Sequence, residues 1–235
     1  MAQQHVLIAG GGPVVFVTAL EAEPAIVTSP RAMVCHWSVL EHLEGLGILE
    51  DAMRKGFTKQ DYCHIVFRTG ERIYWTLAPL ADETRHPYNL HLGQNDLAEI
   101  ARQRLANYPE AQVRFGTRID GIAQDAHGVT ATVTGPGGTE ALRADWLVAC
   151  DGGSSTVRQK ILGMNFFGVT WPERFVATNV RFDFEAAGYA RANFMMDDVY
   201  GAIIAKIDDT GLWRITVMED AALPLDGVTD RIDAV

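Results

Sequence analysis

The chain has 235 residues, 48% hydrophobic and 21% charged, which fits a globular protein of one large or two modest domains and excludes a disordered or fibrous one. Its formal net charge of −10 excludes a general nucleic-acid or anionic-membrane surface, because binding phosphate backbones needs clustered Lys and Arg. Three cysteines, Cys35, Cys63 and Cys150, are widely spaced with no C-x-x-C pair, which points to reduced thiols in a cytoplasmic protein.

No basic segment with a small-residue cleavage site opens the chain, so a signal peptide is not expected. The uncharged run 6–20 is shorter than the roughly 20 residues of a membrane helix and is interrupted by Gly10, Gly11, Gly12 and Pro13, so it reads as buried core. Within it, Val6-Leu7-Ile8 feeds into the three glycines, the pattern of a buried parallel strand entering a loop that can approach a phosphate. A Cβ in that loop would block both the tight turn and the backbone N–H groups. Gly10 and Gly12 fit G-x-G-x-x-G, but Val15 stands at the third glycine position.

A dinucleotide-binding βαβ unit needs a helix, a second strand and then an acid about 20 residues beyond the glycines. Here Glu21 follows Gly12 by nine positions, too few for a crossover of about a dozen residues. Pro13–Leu20 can supply the helix or the second strand but not both: its β-branched content favours a strand, its position a helix.

Ser38 and Glu41 make a capping box for a helix carrying Leu40, Leu43 and Leu46, stopped at Gly47 and followed by a short helix from Ile48 to Lys55. Ile65–Phe67 and Ile73–Leu77 read as strands around Thr69-Gly70, and Pro79–Pro87 as a polar connector. Gln94 opens a helix capped by Asn95 or Asp96, with Leu97, Ile100, Ala101 and Leu105 as its buried stripe. Val113–Phe115 is a short strand. Gly128–Val133 is expected to pair with Ala141–Ala149 across Gly135-Pro136-Gly137-Gly138, the second arm ending in Trp146-Leu147-Val148-Ala149-Cys150. That arm meets Asp151-Gly152-Gly153-Ser154-Ser155 and a helical Thr156–Leu162 stopped by Gly163, a second strand–glycine loop–helix unit. From Phe175 the texture turns to antiparallel sheet, with runs 175–184, 202–207 and 212–218 and a hairpin loop at Asp208–Gly211.

Three motifs, taken in order, carry a resemblance. They are Val6-Leu7-Ile8-Ala9-Gly10-Gly11-Gly12-Pro13-Val14, Leu92-Gly93-Gln94-Asn95-Asp96-Leu97, and Cys150-Asp151-Gly152-Gly153-Ser154-Ser155-Thr156-Val157-Arg158. With them the chain resembles the FAD-dependent aromatic-ring monooxygenases of the p-hydroxybenzoate hydroxylase type. The resemblance implies an α/β fold: a Rossmann-like FAD-binding domain, 1–168, with inserted β-hairpin segments, and an attached, mostly antiparallel substrate domain, 169–235. It implies that Gly10 and Gly12 cradle the FAD pyrophosphate and that Glu21 binds the adenosine ribose. Arg31 would lie close to the diphosphate and Gln94 at the ribityl side, while Asp151 and Arg158 serve FAD and the nicotinamide cofactor. The implied activity is hydroxylation of a small aromatic substrate, with NAD(P)H reducing the flavin and O₂ supplying the oxygen. No catalytic side chain is assigned. Family members continue into a later Gly-Asp-Ala segment and further strands and helices, so the match covers the N-terminal half of the usual enzyme and the expected fold is truncated. A catalytically inactive fragment or degenerate member of the same family is the alternative. A plain dinucleotide-binding reductase fits less well, because the acid spacing is wrong for it and the Asp-Gly motif points to flavin.

Each candidate also has a bland reading: Glu21 as a loop acid, Arg31 as a surface ion-pair partner, Gln94 as a first-turn residue. Asp151, closing an apolar strand, is expensive unless hydrogen-bonded or near a ligand. No metal site is expected, since His86 and His91 straddle Pro87 and cannot share a helical face. Cys63-His64 reads as packing, and Ser154 and Ser155 lack the G-x-S-x-G elbow of a hydrolase. Trp171, Trp213 and Tyr189 fit either an aromatic substrate pocket or sheet core.

Overall fold

The structure, a computed structural model, describes residues 6–9, 18–29, 31–197 and 201–233. The chain forms two compact units, Met1–Arg31 with Gln94–Gly168, and Ala32–Gly93 with Val169–Val235. These units meet along the chain at 31/32, 93/94 and 168/169. Segment 32–93 clusters with the C-terminal part, because Asp61–Val66 pairs with Ala192–Met196. Among the described residues no helix is long and apolar enough to cross a membrane.

The first unit is built on a four-stranded parallel sheet in the order Trp146–Ala149, Val6–Ala9, Thr18–Leu20, Gln112–Arg114. Of the two alternatives for Pro13–Leu20, Thr18–Leu20 is the second strand, with Leu7 registered against Thr18 and Ala9 against Leu20. Numbered along the chain and read from the Gln112–Arg114 edge, the spatial order is third, second, first, fourth. That is the doubly wound arrangement, whose direction of winding reverses between the first and fourth strands. A separate antiparallel sheet of Arg118–Asp125, Gly128–Gly135 and Gly138–Ala144 accompanies it.

The expected hairpin is thus corrected at its second arm: Gly138–Ala144 pairs with Gly128–Gly135, while Trp146–Ala149 leaves it and runs parallel to Val6–Ala9. Pairing with Val6–Ala9 draws the run Trp146–Ala149 into the parallel sheet, where Trp146 is 61% and Val148 43% exposed. Strand Arg118–Asp125, which no sequence signal marked, completes the small sheet. Leu20, Ile119, Val129, Ala131, Val133, Ala144 and Val157 form one buried cluster, so both sheets and the turn after Asp151 share a core. Each buried Leu, Ile or Val side chain there contributes about 1.5–3 kcal/mol.

The second unit carries a six-stranded sheet in the order Glu173–Arg181, Leu212–Asp220, Ala202–Lys206, Ala192–Met196, Asp61–Val66, Glu71–Thr76. All its pairings are antiparallel except that of Ala192–Met196 with Asp61–Val66. The two expected hairpins are present: Gly70 turns at φ 72° and Gly211 at φ 82°, with the Asp208 carboxylate accepting the Thr210 amide at 2.8 Å. Trp213 is 1% exposed and packs against Phe184 at 5.1 Å between ring centroids, so it is core, while Trp171 is 67% exposed. Cys63 is buried, in line with the packing reading.

A smaller antiparallel sheet of Val34–Cys35, Asn89–His91 and Phe57–Lys59 lies beside helices Trp37–Gly45 and Leu49–Lys55, whose Leu40, Leu43, Leu49 and Ala52 are buried. The predicted Ser38/Glu41 capping box is not formed. The helix begins two residues early, with His36 at the N-cap position, and the Asn89 side chain takes the amide of Trp37 at 2.8 Å. Gly47, at φ 67°, is the expected stop.

Candidate functional site

The carboxyl ends of the parallel strands bring three of the predicted segments to one edge. Ala9 is registered against both Ala149 and Leu20, so the chain leaves the sheet toward Gly10, toward Cys150-Asp151 and toward Glu21 from neighbouring strand ends. This is the reversal point of the sheet, where doubly wound folds bind ligands. Gly10, Gly12 and Val15 lie outside the described residues.

Glu21 ends the second strand as expected of a ribose-binding acid. Its backbone is fixed on both sides, its N–H donating to the Arg114 carbonyl at 3.0 Å and its carbonyl accepting the Thr117 N–H at 2.8 Å. One carboxylate oxygen accepts the Glu23 amide at 2.9 Å, and the other has no hydrogen-bond partner among the described residues. A pocket of about 310 Å³ opens close to it in the chain, lined by Pro24, Ala25, Ile26, Phe115 and the ion pair of Glu99 and Arg102.

Asp151 organises the second loop. The Ser155 hydroxyl donates to one of its carboxylate oxygens and the Val157 amide to the other at 3.0 Å. Burial pushes its pKa up, but these bonds, with those from its own and the Thr156 amide, outweigh burial and hold it below the ordinary carboxylate value. Ser155 in turn accepts the Arg158 amide at 3.0 Å, and the Arg158 guanidinium donates to the Gly153 carbonyl and lies 4.5 Å over the Phe166 ring. Gly152 adopts φ 84°, and the space beside Gly152 and Gly153 is open. The expected helix over Thr156–Leu162 is a π-helical turn, Val157–Ile161, ended by Gly163 at φ 62°.

Asp151 and Arg158 are therefore brought together by a shared loop. Arg31 is exposed, and Gln94 is exposed at the start of helix Gln94–Leu105. Asn95 does not cap that helix, since it sits within the first turn and its Oδ1 is buried without a partner. Of the predicted stripe only Ile100 is buried, Leu97, Ala101 and Leu105 being half-buried. Ser155, which has no hydrolase motif around it, links Asp151 to Arg158, and its place three residues before Arg158 is the sequence signal for that role. Among the described residues no group of His, Cys, Asp and Glu is placed to hold a metal ion.

The residues of this edge fit a dinucleotide. The strand order, the open glycine loop, a spare Glu21 oxygen and a buried Arg158 Nε without a partner are what a pyrophosphate-linked ligand needs from a protein.

Residues 3–196 match a family model described as FAD binding domain. The chain is 41% identical over 245 aligned positions to 6-hydroxy-3-succinoylpyridine 3-monooxygenase HspB of Pseudomonas putida, covering 99% of this chain and 62% of that protein. It is 40% identical to para-nitrophenol 4-monooxygenase of Pseudomonas sp. strain WBC-3, covering 93% of this chain and 57% of the relative. The crystal structure of p-nitrophenol 4-monooxygenase PnpA from Pseudomonas putida DLL-E4 superimposes with a TM-score of 0.90 at 35% identity, covering 98% of this chain and 62% of that one. The chain thus spans about three-fifths of the length of these relatives.

Proposed function

This chain belongs to the FAD binding domain family of flavoprotein monooxygenases, and on that premise we propose that it holds FAD and hydroxylates a small aromatic molecule with NAD(P)H and O₂. The observation that carries the reading is the reversal point of the parallel sheet, with Glu21 and the Asp151–Arg158 loop leaving neighbouring strand ends.

In this reading the loop of Gly10 and Gly12 meets the pyrophosphate, and the free oxygen of Glu21 accepts a ribose hydroxyl. The apolar pocket of Pro24, Ile26 and Phe115 takes the adenosine end. Asp151, kept ionised by Ser155 and Val157, holds the open Gly152-Gly153 turn in place, and Arg158 braces that turn from behind. Arg31 and Gln94 would reach the diphosphate and the ribityl chain. The chemistry supplied by FAD when bound is transfer of electrons from NAD(P)H to O₂ and delivery of one oxygen atom to the ring. The protein contributes position and exclusion of water. Three free thiols fit a cytoplasmic setting.

A second reading, a family member that has lost its cofactor, is favoured by one observation. Only residues 10–17 connect the parallel strands Val6–Ala9 and Thr18–Leu20, where a crossover ordinarily takes about a dozen residues or more. The visible absorption spectrum after loading with FAD and desalting separates the two. Stoichiometric retained flavin, followed by substrate-stimulated NADPH oxidation with a panel of phenols that includes 4-nitrophenol, supports the monooxygenase. A colourless protein supports the second reading.

A further inference from the structure

The second unit contains a pocket of about 380 Å³ lined by Thr58, Lys59, Gln60, Asp61, Tyr88 and Arg191. It forms where strand Phe57–Lys59 passes into Asp61–Val66, with Tyr88 preceding strand Asn89–His91 and Arg191 preceding Ala192–Met196. Its frame is tied down. The Gln60 side-chain amide donates to the Pro87 carbonyl at 2.9 Å, and the Tyr88 hydroxyl lies 3.1 Å from His86 Nδ1, whose ring reaches the Glu44 carboxylate at 3.3 Å through Nε2.

Two cationic groups on the lining have donors to spare. The Lys59 ammonium makes no hydrogen bond or ion pair among the described residues, although it is half-buried, and burial lowers its pKa despite nearby Asp61 and Glu185. Arg191 spends Nε on Glu185 at 2.9 Å and rests 5.6 Å over the Phe57 ring, while its terminal nitrogens have no hydrogen-bond partner among the described residues. Glu185 is shared with Lys206 at 2.7 Å, so it does not belong to Arg191 alone. Lys59 is half-buried with no partner among the described residues to offset the loss of water around its ammonium, while the Arg191 side chain is 41% exposed and its terminal nitrogens face solvent that a ligand can displace.

We infer that this pocket binds a small organic carboxylate, the carboxylate between Lys59 and the terminal nitrogens of Arg191 and the organic part against the Tyr88 ring. A planar monoanion suits the fork of Arg191, and the carboxylates of Asp61 and Glu185 oppose a dianion. The volume lies in the range of small-molecule sites. The inference does not rest on the flavin reading, since every residue in it belongs to the second unit.

Isothermal titration calorimetry of the full chain with sodium benzoate, benzamide and inorganic phosphate at constant ionic strength tests it. Benzoate is expected to bind saturably, benzamide not at all, and phosphate at least tenfold more weakly than benzoate. Lys59→Gln and Arg191→Gln should each weaken benzoate at least tenfold, and Lys59→Arg should retain it. A second measurement needs no variant: benzoate should slow acetylation of Lys59, read by mass spectrometry, and leave the exposed Lys160 unaffected. Absence of saturable benzoate binding, equal binding of benzamide, tighter binding of phosphate, or an unprotected Lys59 would overturn the proposal. Flavin retention is read separately by visible absorption, so failure of either idea is recognisable alone.

Discussion

The side-chain oxygen of Asn89 accepts the backbone N–H of Trp37 at 2.8 Å, so the helix Trp37–Gly45 is capped by a residue 52 positions later in the chain. The Asn89 amide nitrogen also donates to the Tyr62 hydroxyl at 2.6 Å, joining helix, small sheet and large sheet through one buried side chain. Asn89→Ala should destabilise the protein by about 1–3 kcal/mol, combining a lost cap with an unpartnered phenol. Ser38→Ala, at the position that the local pattern offers as cap, should change stability by less than about 0.5 kcal/mol. Urea unfolding midpoints of the two variants check the contrast, and equal losses would count against it.

His91 sets a pH limit on stability. Its ring is 1% exposed, with Nδ1 3.2 Å from the Lys206 carbonyl and Nε2 buried without a partner. Burial lowers its pKa to about 4, with Lys59 and His36 adding to the effect and the Lys206 carbonyl opposing it. The unfolded chain, with an ordinary histidine value near 6.5, therefore binds the proton more readily than the folded one. The stabilising contribution is complete above about 6.5 and is lost as pH falls through about 4, up to roughly 3 kcal/mol in all. His91→Phe should flatten the melting temperature between pH 7 and pH 4 relative to the parent chain; an unchanged slope would assign the pH dependence to other groups.

Asp151→Ala removes the acceptor for the Ser155 hydroxyl and the Val157 amide, and should cost about 1–2 kcal/mol of stability. If the turn presents the cofactor, FAD retention should fall at least tenfold in the same variant, and Ser155→Ala should show a smaller loss of both. Thermal melts and flavin fluorescence after desalting measure the pair. Full FAD retention by Asp151→Ala would remove this loop from the cofactor site.

Gly128 opens the central strand of the three-stranded sheet at φ 136°, and an added Cβ would collide with the Ala144 carbonyl oxygen. Gly128→Ala should therefore destabilise the first unit by about 1–3 kcal/mol. Gly137→Ala, with open space at the neighbouring turn, is the control and should be nearly neutral. Denaturation followed by circular dichroism distinguishes them.

Much of the chain could be read locally. The Asp208–Gly211 turn and the Gly47 stop follow from residue types whose preferences act within a few positions. The motif Asp151–Arg158, marked by the family resemblance, closes on itself through Ser155, so its residues lie together in sequence as well as in space. Other features depended on partners far along the chain. The run ending at Cys150 has the same composition whether it extends a hairpin or joins a parallel sheet, and only pairing with Val6–Ala9 chose between them. Asp61–Val66 and Ala192–Met196 carry no mutual signal, yet their parallel pairing draws 32–93 into the second unit.

The sequence by itself determined the turns, the glycine and Asp-Gly loops and the family, because these rest on short-range backbone preferences and on motifs of fixed spacing. Tertiary structure decided which strands are neighbours, which residue caps the first helix, and which cations share a pocket. Those outcomes depend on burying apolar surface and satisfying buried polar groups across distant segments, and no local window contains both partners.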